Sequence, residues 1–372
     1  MQPVPGTALS NSAIATWRCY EQLDHTRRLQ GMVMDMLGFG PQETASRVAL
    51  RLPGVTLKAY GEAAGKGPVI LLVPAPIKRA YIWDLAPGAS VVEQCLAHET
   101  RPYVVQWEQP EAAFGLDDYA DRLVLACVDA IRAETGENSV FLAGHSLGGL
   151  LAAIFASLHP QRLQGLIALT APLHFDFDEA AGVLGPVIAE ISRSGLLVAA
   201  PGNLPGSLLS LASFLASPST FGRDRWVDWA QGLSDARAVK LHLRVERWSL
   251  DEMPLARQLV ADIEQCLYRE DAFLRGTLKS GERTASARGV VAPLLIVADA
   301  RCAVVPPQAI LPFEQASGAA DKHLLWYQGD IGVAIQHVGV LVGRTALQHL
   351  WPAILHWVHT HWRHALGQPK PS

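Results

Sequence analysis

The sequence predicts an α/β fold, a mostly parallel central sheet flanked by helices, and two observations carry that prediction. Short apolar runs alternate with longer amphipathic stretches along most of the chain, the rhythm of strand–helix–strand units around a parallel sheet. One of those runs passes directly into a glycine-bearing turn and then a Leu/Ala-rich helix, in "FLAGHSLGGLLAAIF". With 372 residues, 49% hydrophobic and 18% charged, the chain can bury the core such a sheet needs.

Taken in order, the first sixty residues are expected to hold a helix near 16–37 and a weak strand pair at "RVALRLP" and "TLKAYGE". Strands follow at "VILLV" (69–73), "YVVQW" (103–107), "SVFLAG" (139–144) and "LIALT" (166–170), and later at "PLLIVA" (293–298) and "HLLWY" (323–327). β-Branched and aromatic residues between turn signals justify each. Helices are expected at 88–98, 116–135, 147–158 and 344–364. From about 173 to 288 the alternation stops, and Gly, Pro and Ser break an apolar stretch into short helices. The expected organisation is therefore an N-terminal unit (1–60) packed on a core (61–172 and 289–372), with a helical cap (173–288) inserted before the last two strands.

Composition removes several function classes. A net charge of −4 and scattered Lys and Arg leave no basic footprint for nucleic acid. No apolar run reaches the roughly 18 residues of a membrane span, and the N-terminus does not read as a secretory signal. Five cysteines, widely spaced and without a C-x-x-C pair, read as reduced thiols of a cytoplasmic protein.

Within "GHSLG", Gly144, Ser146 and Gly148 match G-x-S-x-G in the strand–turn–helix context that this motif requires. The serine sits on a cramped turn, so the residues two before and two after must lack a Cβ. The turn also sets Ser146 at a helix N-terminus, where free N–H groups favour a developing oxyanion. Leu147 N–H is the first expected donor. The second comes from "VPAPIKRAY", where Pro74 and Pro76 have no N–H and leave Ala75 or Ile77.

A hydroxyl nucleophile needs a base, and the hydrolase order places acid and then histidine after the serine. His337, in "GVAIQHVGVLVG", stands in a small-residue loop after the last strand and is the expected general base, with His174 the weaker competitor. His145 is expected to point away from the serine and to serve packing or line the entrance. His349, His356, His359, His361 and His364 are read as a polar helix face, since no carboxylate or cysteine accompanies them in sequence. No metal or organic cofactor is expected. Asp84, Asp117 and Asp118 are expected to order loops and cap helices.

The segments "LLVPAPIKRAYIWDLAPGASVVEQCLA", "GLDDYADRL", "GHSLGGLLAAIFASLHPQRLQGLIALTAP", "LYREDAFLRGTL", "PLLIVADARCAVVPPQAI" and "QHVGVLVGRTALQHLWPAILHWV" resemble the catalytic part of polyhydroxyalkanoate synthases, particularly the short class that works with a second subunit. The likeness runs from about residue 68 to residue 358. It implies an α/β-hydrolase fold with a cap, and polymerisation of 3-hydroxyacyl groups from coenzyme A thioesters by a nucleophile, a histidine and an aspartate. Those positions fall on Ser146, His337 and Cys302. The family's nucleophile is cysteine, and its aspartate precedes a V-P-P turn, so this chain departs at two of the three.

Both departures bear on the chemistry. A thiol exchanges readily with thioesters, whereas a hydroxyl depends on its base at the moment of attack. Serine thus tilts the reading towards esterase, thioesterase or depolymerase action. For the missing acid, Asp299 ranks first, three residues before Cys302 at a strand end, and Asp176 second, after "LIALT". Three functions stay open: a serine hydrolase or acyltransferase on (3-hydroxy)acyl esters or thioesters; a polyhydroxyalkanoate synthase using 3-hydroxyacyl-coenzyme A, with a homodimer or accessory subunit as partner; and a non-catalytic relative with an eroded triad.

Overall fold

A computed structural model describes residues 11–62, 65–175, 185–186, 188 and 202–365. Asp176, the second candidate acid, lies outside them, as does most of the apolar stretch up to residue 201.

Strands β1 (Ser46–Leu52), β2 (Val55–Tyr60), β3 (Val69–Val73), β4 (Arg101–Trp107), β5 (Val140–His145), β6 (Leu163–Leu169), β7 (Leu294–Asp299) and β8 (Lys322–Tyr327) form one sheet, in the order β1-β2-β4-β3-β5-β6-β7-β8. The first two join antiparallel, and all later pairings are parallel. β3, β5 and β7 are buried along their whole length, which explains why they read as unbroken apolar runs. β1 and β8 are the edges, and their partly exposed residues include Arg47, Arg51 and His323.

Alternate residues of these strands feed two cores. Leu71, Leu142, Leu166 and Ile296 pack on one face with the helices α3 (Val124–Thr135) and α4 (Leu147–Leu158), which follow α1 (Asn11–Met36) and α2 (Val91–Ala97) in the chain. Ile70, Phe141, Ile167 and Val297 pack on the other with Trp83, Val338, Trp351 and Trp357. α4 is apolar nearly all round and buried from Gly148 to Ala156, as befits a helix wedged between sheet and outer layer. Asp84 is buried and accepts from Thr44 N at 2.7 Å and Ser90 Oγ at 2.6 Å, the loop-ordering role expected of it.

Between β6 and β7 the described chain forms helices α5 (Gly206–Ala216), α6 (Asp224–Gly232), α7 (Ala236–Ser249) and α8 (Arg257–Asp262). Two particulars differ from the expected organisation. The N-terminal helix Asn11–Met36 leaves the sheet and lies on these inserted helices: Ser207 N donates to Asp24 Oδ1 at 2.8 Å, Arg27 pairs with Glu252 at 3.1 Å, and Arg247 with Asp35 at 2.7 Å. Its side chains complement the charges of α7 and the turn after it, and it offers the sheet no sustained apolar stripe. Residues at the far end of the insertion, Phe273, Leu278, Ala285 and Ala287, instead bury against the same core as α4.

Candidate active site

Ser146 ends β5 and caps α4 with φ 55° and ψ −132°, a conformation that costs a non-glycine residue of order 1–3 kcal/mol. The flanking glycines show what holds it there. A Cβ on Gly144 would lie 2.4 Å from the Gly148 carbonyl oxygen, and one on Gly148 would lie 2.1 Å from the Val73 carbonyl oxygen. β5, α4 and the end of β3 can approach this closely only because both positions are glycine.

Two adjoining cavities meet at Ser146. The smaller, about 80 Å³, has walls of Leu204, Leu208, Leu255, Leu259 and Val260 from the inserted segment, with Ile77 and Leu147 beside the serine. The larger, about 320 Å³, contains Ser146 and His337 together, with Lys78, Arg225 and Trp248 further out. Ile77 lines both cavities, while Ala75 is half-buried and lines neither.

His337 is the second residue of α9 (Gln336–Val342). Its Nε2 is buried and has no hydrogen-bond partner among the described residues, so the nitrogen that faces chemistry in a Ser–His pair is unengaged by them; such bonds commonly tighten only when substrate binds. Its Nδ1 lies 3.3 Å from Cys302 Sγ. That sulfur also accepts from Val305 N at 3.4 Å, and burial pushes the thiol up to about 11. Cys302 therefore keeps its proton at neutral pH.

Asp299, the first-ranked acid, does not reach the base. β7 ends at Asp299, and the following turn brings Cys302 N to the Asp299 carbonyl at 3.2 Å, which delivers Cys302 to His337. The Asp299 carboxylate turns back onto its own loop, where Oδ1 accepts from Arg301 N at 2.8 Å. Its Oδ2 is buried without a partner among the described residues, and burial raises the pKa of the carboxyl. His174 does have a carboxylate, Asp271 at 2.7 Å, but it lines neither cavity at Ser146.

His145 packs as expected, with a specific consequence. Its Nε2 lies 2.8 Å from the His337 carbonyl, which can only accept, so Nε2 carries the proton and ties the residue before the serine to the base's backbone. Burial pulls His145 down to about 4 and His337 well below the ordinary imidazole value, the second helped by the repulsion that two protonated rings side by side would suffer. Unfolded imidazoles take up protons near pH 6.5, whereas these two stay neutral, so below that pH the unfolded state binds more protons and stability falls. Thermal melts are expected to be level from pH 8 to 7 and to drop from pH 6.5 towards 4. The acid limb of kcat/KM should lie below pH 6.5 for the same reason; a limb at or above 6.5 would contradict it.

Two contributors were missed from sequence. Lys78 is partly buried in the cavity wall, bonded to the Ser249 carbonyl and Glu252, and loss of solvent around its ammonium pulls it down to about 8; the adjacent basic pair in "IKRAY" was its only signal. Asp228 on α6 reaches the loop before the base, accepting from Gly332 N at 2.8 Å and Ala334 N at 2.9 Å while also binding His242 Nδ1 at 2.8 Å. Ala334 sits at φ 57°, so the loop needs this clamp. Asp228→Asn supplies only one acceptor oxygen and is expected to lower kcat by about 10- to 100-fold with KM little changed, as small displacements of a reacting group do. A KM effect alone, or an unchanged kcat, would refute the positioning role.

Among known proteins, a model of the α/β-hydrolase fold matches residues 86–193. Monoacylglycerol lipase of Paleococcus ferrophilus superposes with a TM-score of 0.52 at 16% identity over 82% of this chain and 99% of its own. A carboxylesterase structure from Nitrososphaera gargenis gives 0.51 at 12% identity over 84% and 98%. Sheet order, serine elbow and these likenesses give the chain the α/β-hydrolase fold. The poly(3-hydroxyalkanoate) polymerase subunit PhaC of Thiocystis violacea is 27% identical over 91% of this chain and 96% of its own length. That of Allochromatium vinosum is 26% identical over the same shares. Within the fold, the chain is thus similar over nearly its whole length to these polymerase subunits, and it carries serine at position 146.

Proposed function

We propose that the chain transfers or hydrolyses (3-hydroxy)acyl groups held as esters or thioesters, through an acyl-enzyme on Ser146. The observation that carries this is the strained Ser146 backbone opening into the cavity that also holds His337. Ser146 Oγ attacks the acyl carbonyl, and His337 takes its proton and returns it to the leaving alcohol or thiol. Leu147 N–H and Ile77 N–H hold the oxyanion. The inserted helices act as a cap whose leucines receive an acyl chain. Cys302 takes the acid's place at His337 Nδ1 as a neutral thiol, which makes this a slow catalyst at neutral pH. Asp299 helps shape that loop without touching the base.

A synthase reading is favoured by the near full-length alignment with polymerase subunits. It would use 3-hydroxyacyl-coenzyme A in the cytoplasm, with a homodimer or an accessory subunit completing the enzyme. One experiment separates the two. Purified protein is mixed with 3-hydroxybutyryl-coenzyme A or a short p-nitrophenyl ester, and the intact mass and the peptide containing Ser146 are followed in time. An acyl adduct on that peptide is expected; decay to free acid marks the hydrolase and growth to oligomer the synthase. No adduct from either donor would sink the proposal in favour of a non-catalytic relative.

A further inference from the structure

The last helix, α10 (Trp351–Ala365), presents several histidines that have no carboxylate nearby in sequence. The fold supplies one. Asp321, just before β8, places Oδ1 2.9 Å from His323 Nε2 and Oδ2 3.1 Å from His361 Nε2. One ligand atom from each of the three residues lies within 4.8 Å of the others, compared with the roughly 3.3 Å between neighbouring donors around a tetrahedral ion with bonds of about 2.0–2.1 Å.

The tautomer sharpens this. His361 Nδ1 lies 2.8 Å from the Trp357 carbonyl, which can only accept, so Nδ1 carries a proton. A neutral His361 then aims its Nε2 lone pair at a carboxylate oxygen, and two acceptors at that distance repel unless positive charge joins them. The Trp357 ring, its centroid 4.2 Å away, holds the imidazole in place. His323 and Asp321 are about half exposed, leaving room for water to complete a coordination sphere.

We infer that Asp321, His323 and His361 bind one divalent ion of the zinc type, as a surface clip joining the edge strand β8 to α10. Two imidazoles and one carboxylate are a donor set suited to zinc, nickel or copper rather than to magnesium or calcium. The site lies where β8 begins, whereas Ser146 follows the end of the parallel strand β5. The clip therefore stabilises the fold and leaves the serine chemistry alone.

Zn²⁺ titrated calorimetrically at pH 7.5 into the untagged, EDTA-treated full chain tests this, with Cys19→Ser throughout because that thiol is exposed. Binding of one equivalent with a micromolar Kd is expected, together with a melting temperature raised by a few degrees in excess metal. His323→Ala and Asp321→Asn should each weaken binding at least 10-fold; His323 is half exposed, so its replacement spares the core. His356→Ala, on the same helix and exposed, should leave binding unchanged. Absence of a one-equivalent transition would mean that protons alone bridge these groups and would overturn the inference. So would full affinity in the folded His323→Ala/His361→Ala variant.

Discussion

Replacing Cys302 with aspartate is expected to raise kcat on a p-nitrophenyl ester by about 100-fold. In serine proteases, exchanging the triad aspartate for its neutral amide lowers turnover by about 10⁴ because the imidazole settles in the wrong tautomer. The same difficulty exists here. When the Cys302 thiol donates to His337 Nδ1, the proton stays on Nε2, and the base cannot accept from Ser146. A carboxylate at 302 only accepts, so it fixes the proton on Nδ1 and stabilises the imidazolium that forms during attack. The loop is already arranged to hold an anion, since the sulfur takes backbone N–H from Val305 and Val304. The full 10⁴ is not expected, because buried Asp299 stands close by and repels a second carboxylate. Cys302→Ser, also neutral, should give no gain, and Cys302→Asp combined with His337→Ala should give none either. If Cys302→Asp folds and turns over no faster than the parent, the assignment of 302 as the acid position is wrong.

The second large effect is at the nucleophile. Ser146→Ala should remove the acyl adduct altogether and lower kcat/KM by at least about 10³-fold, leaving what the oxyanion donors and the cavity achieve without covalent catalysis. Ser146→Cys should behave differently. A thiol is intrinsically more nucleophilic and depends less on a compromised base. The variant should therefore gain on coenzyme A thioesters relative to oxygen esters, shifting the ratio of the two kcat/KM values by 10-fold or more. An unchanged ratio would argue that acyl transfer is not limited by proton removal from Ser146. An adduct persisting in Ser146→Ala would place the nucleophile elsewhere.

The sheet was legible because its central strands are buried on both faces and so read as apolar blocks; β3 was read to the residue. The elbow was legible for a steric reason, since the contacts that forbid a Cβ at positions 144 and 148 admit glycine alone. The acid was not. Asp299 and Cys302 lie three residues apart on one turn, and which of them faces His337 depends on how the chain leaves β7, something spacing does not encode. The clamp from Asp228 and the meeting of Asp321 with His361 were equally hidden, because each joins residues far apart in the chain. The N-terminal helix misled for a related reason: its partners are charges on inserted helices, and ion pairing leaves no periodic mark in sequence.

That helix has a consequence for how such an enzyme diverges. Leu23 and Arg27 stand in the wall of the larger cavity, opposite chemistry supplied by β5 and α9. On the proposed function, the residues that break a bond and some of those that choose which bond are thus drawn from separate stretches of chain. Substitution of Leu23 or Arg27 would change the width or charge of the chamber without disturbing the turn that strains Ser146. The choice of substrate would then be adjustable from a helix that takes no part in the proposed chemistry.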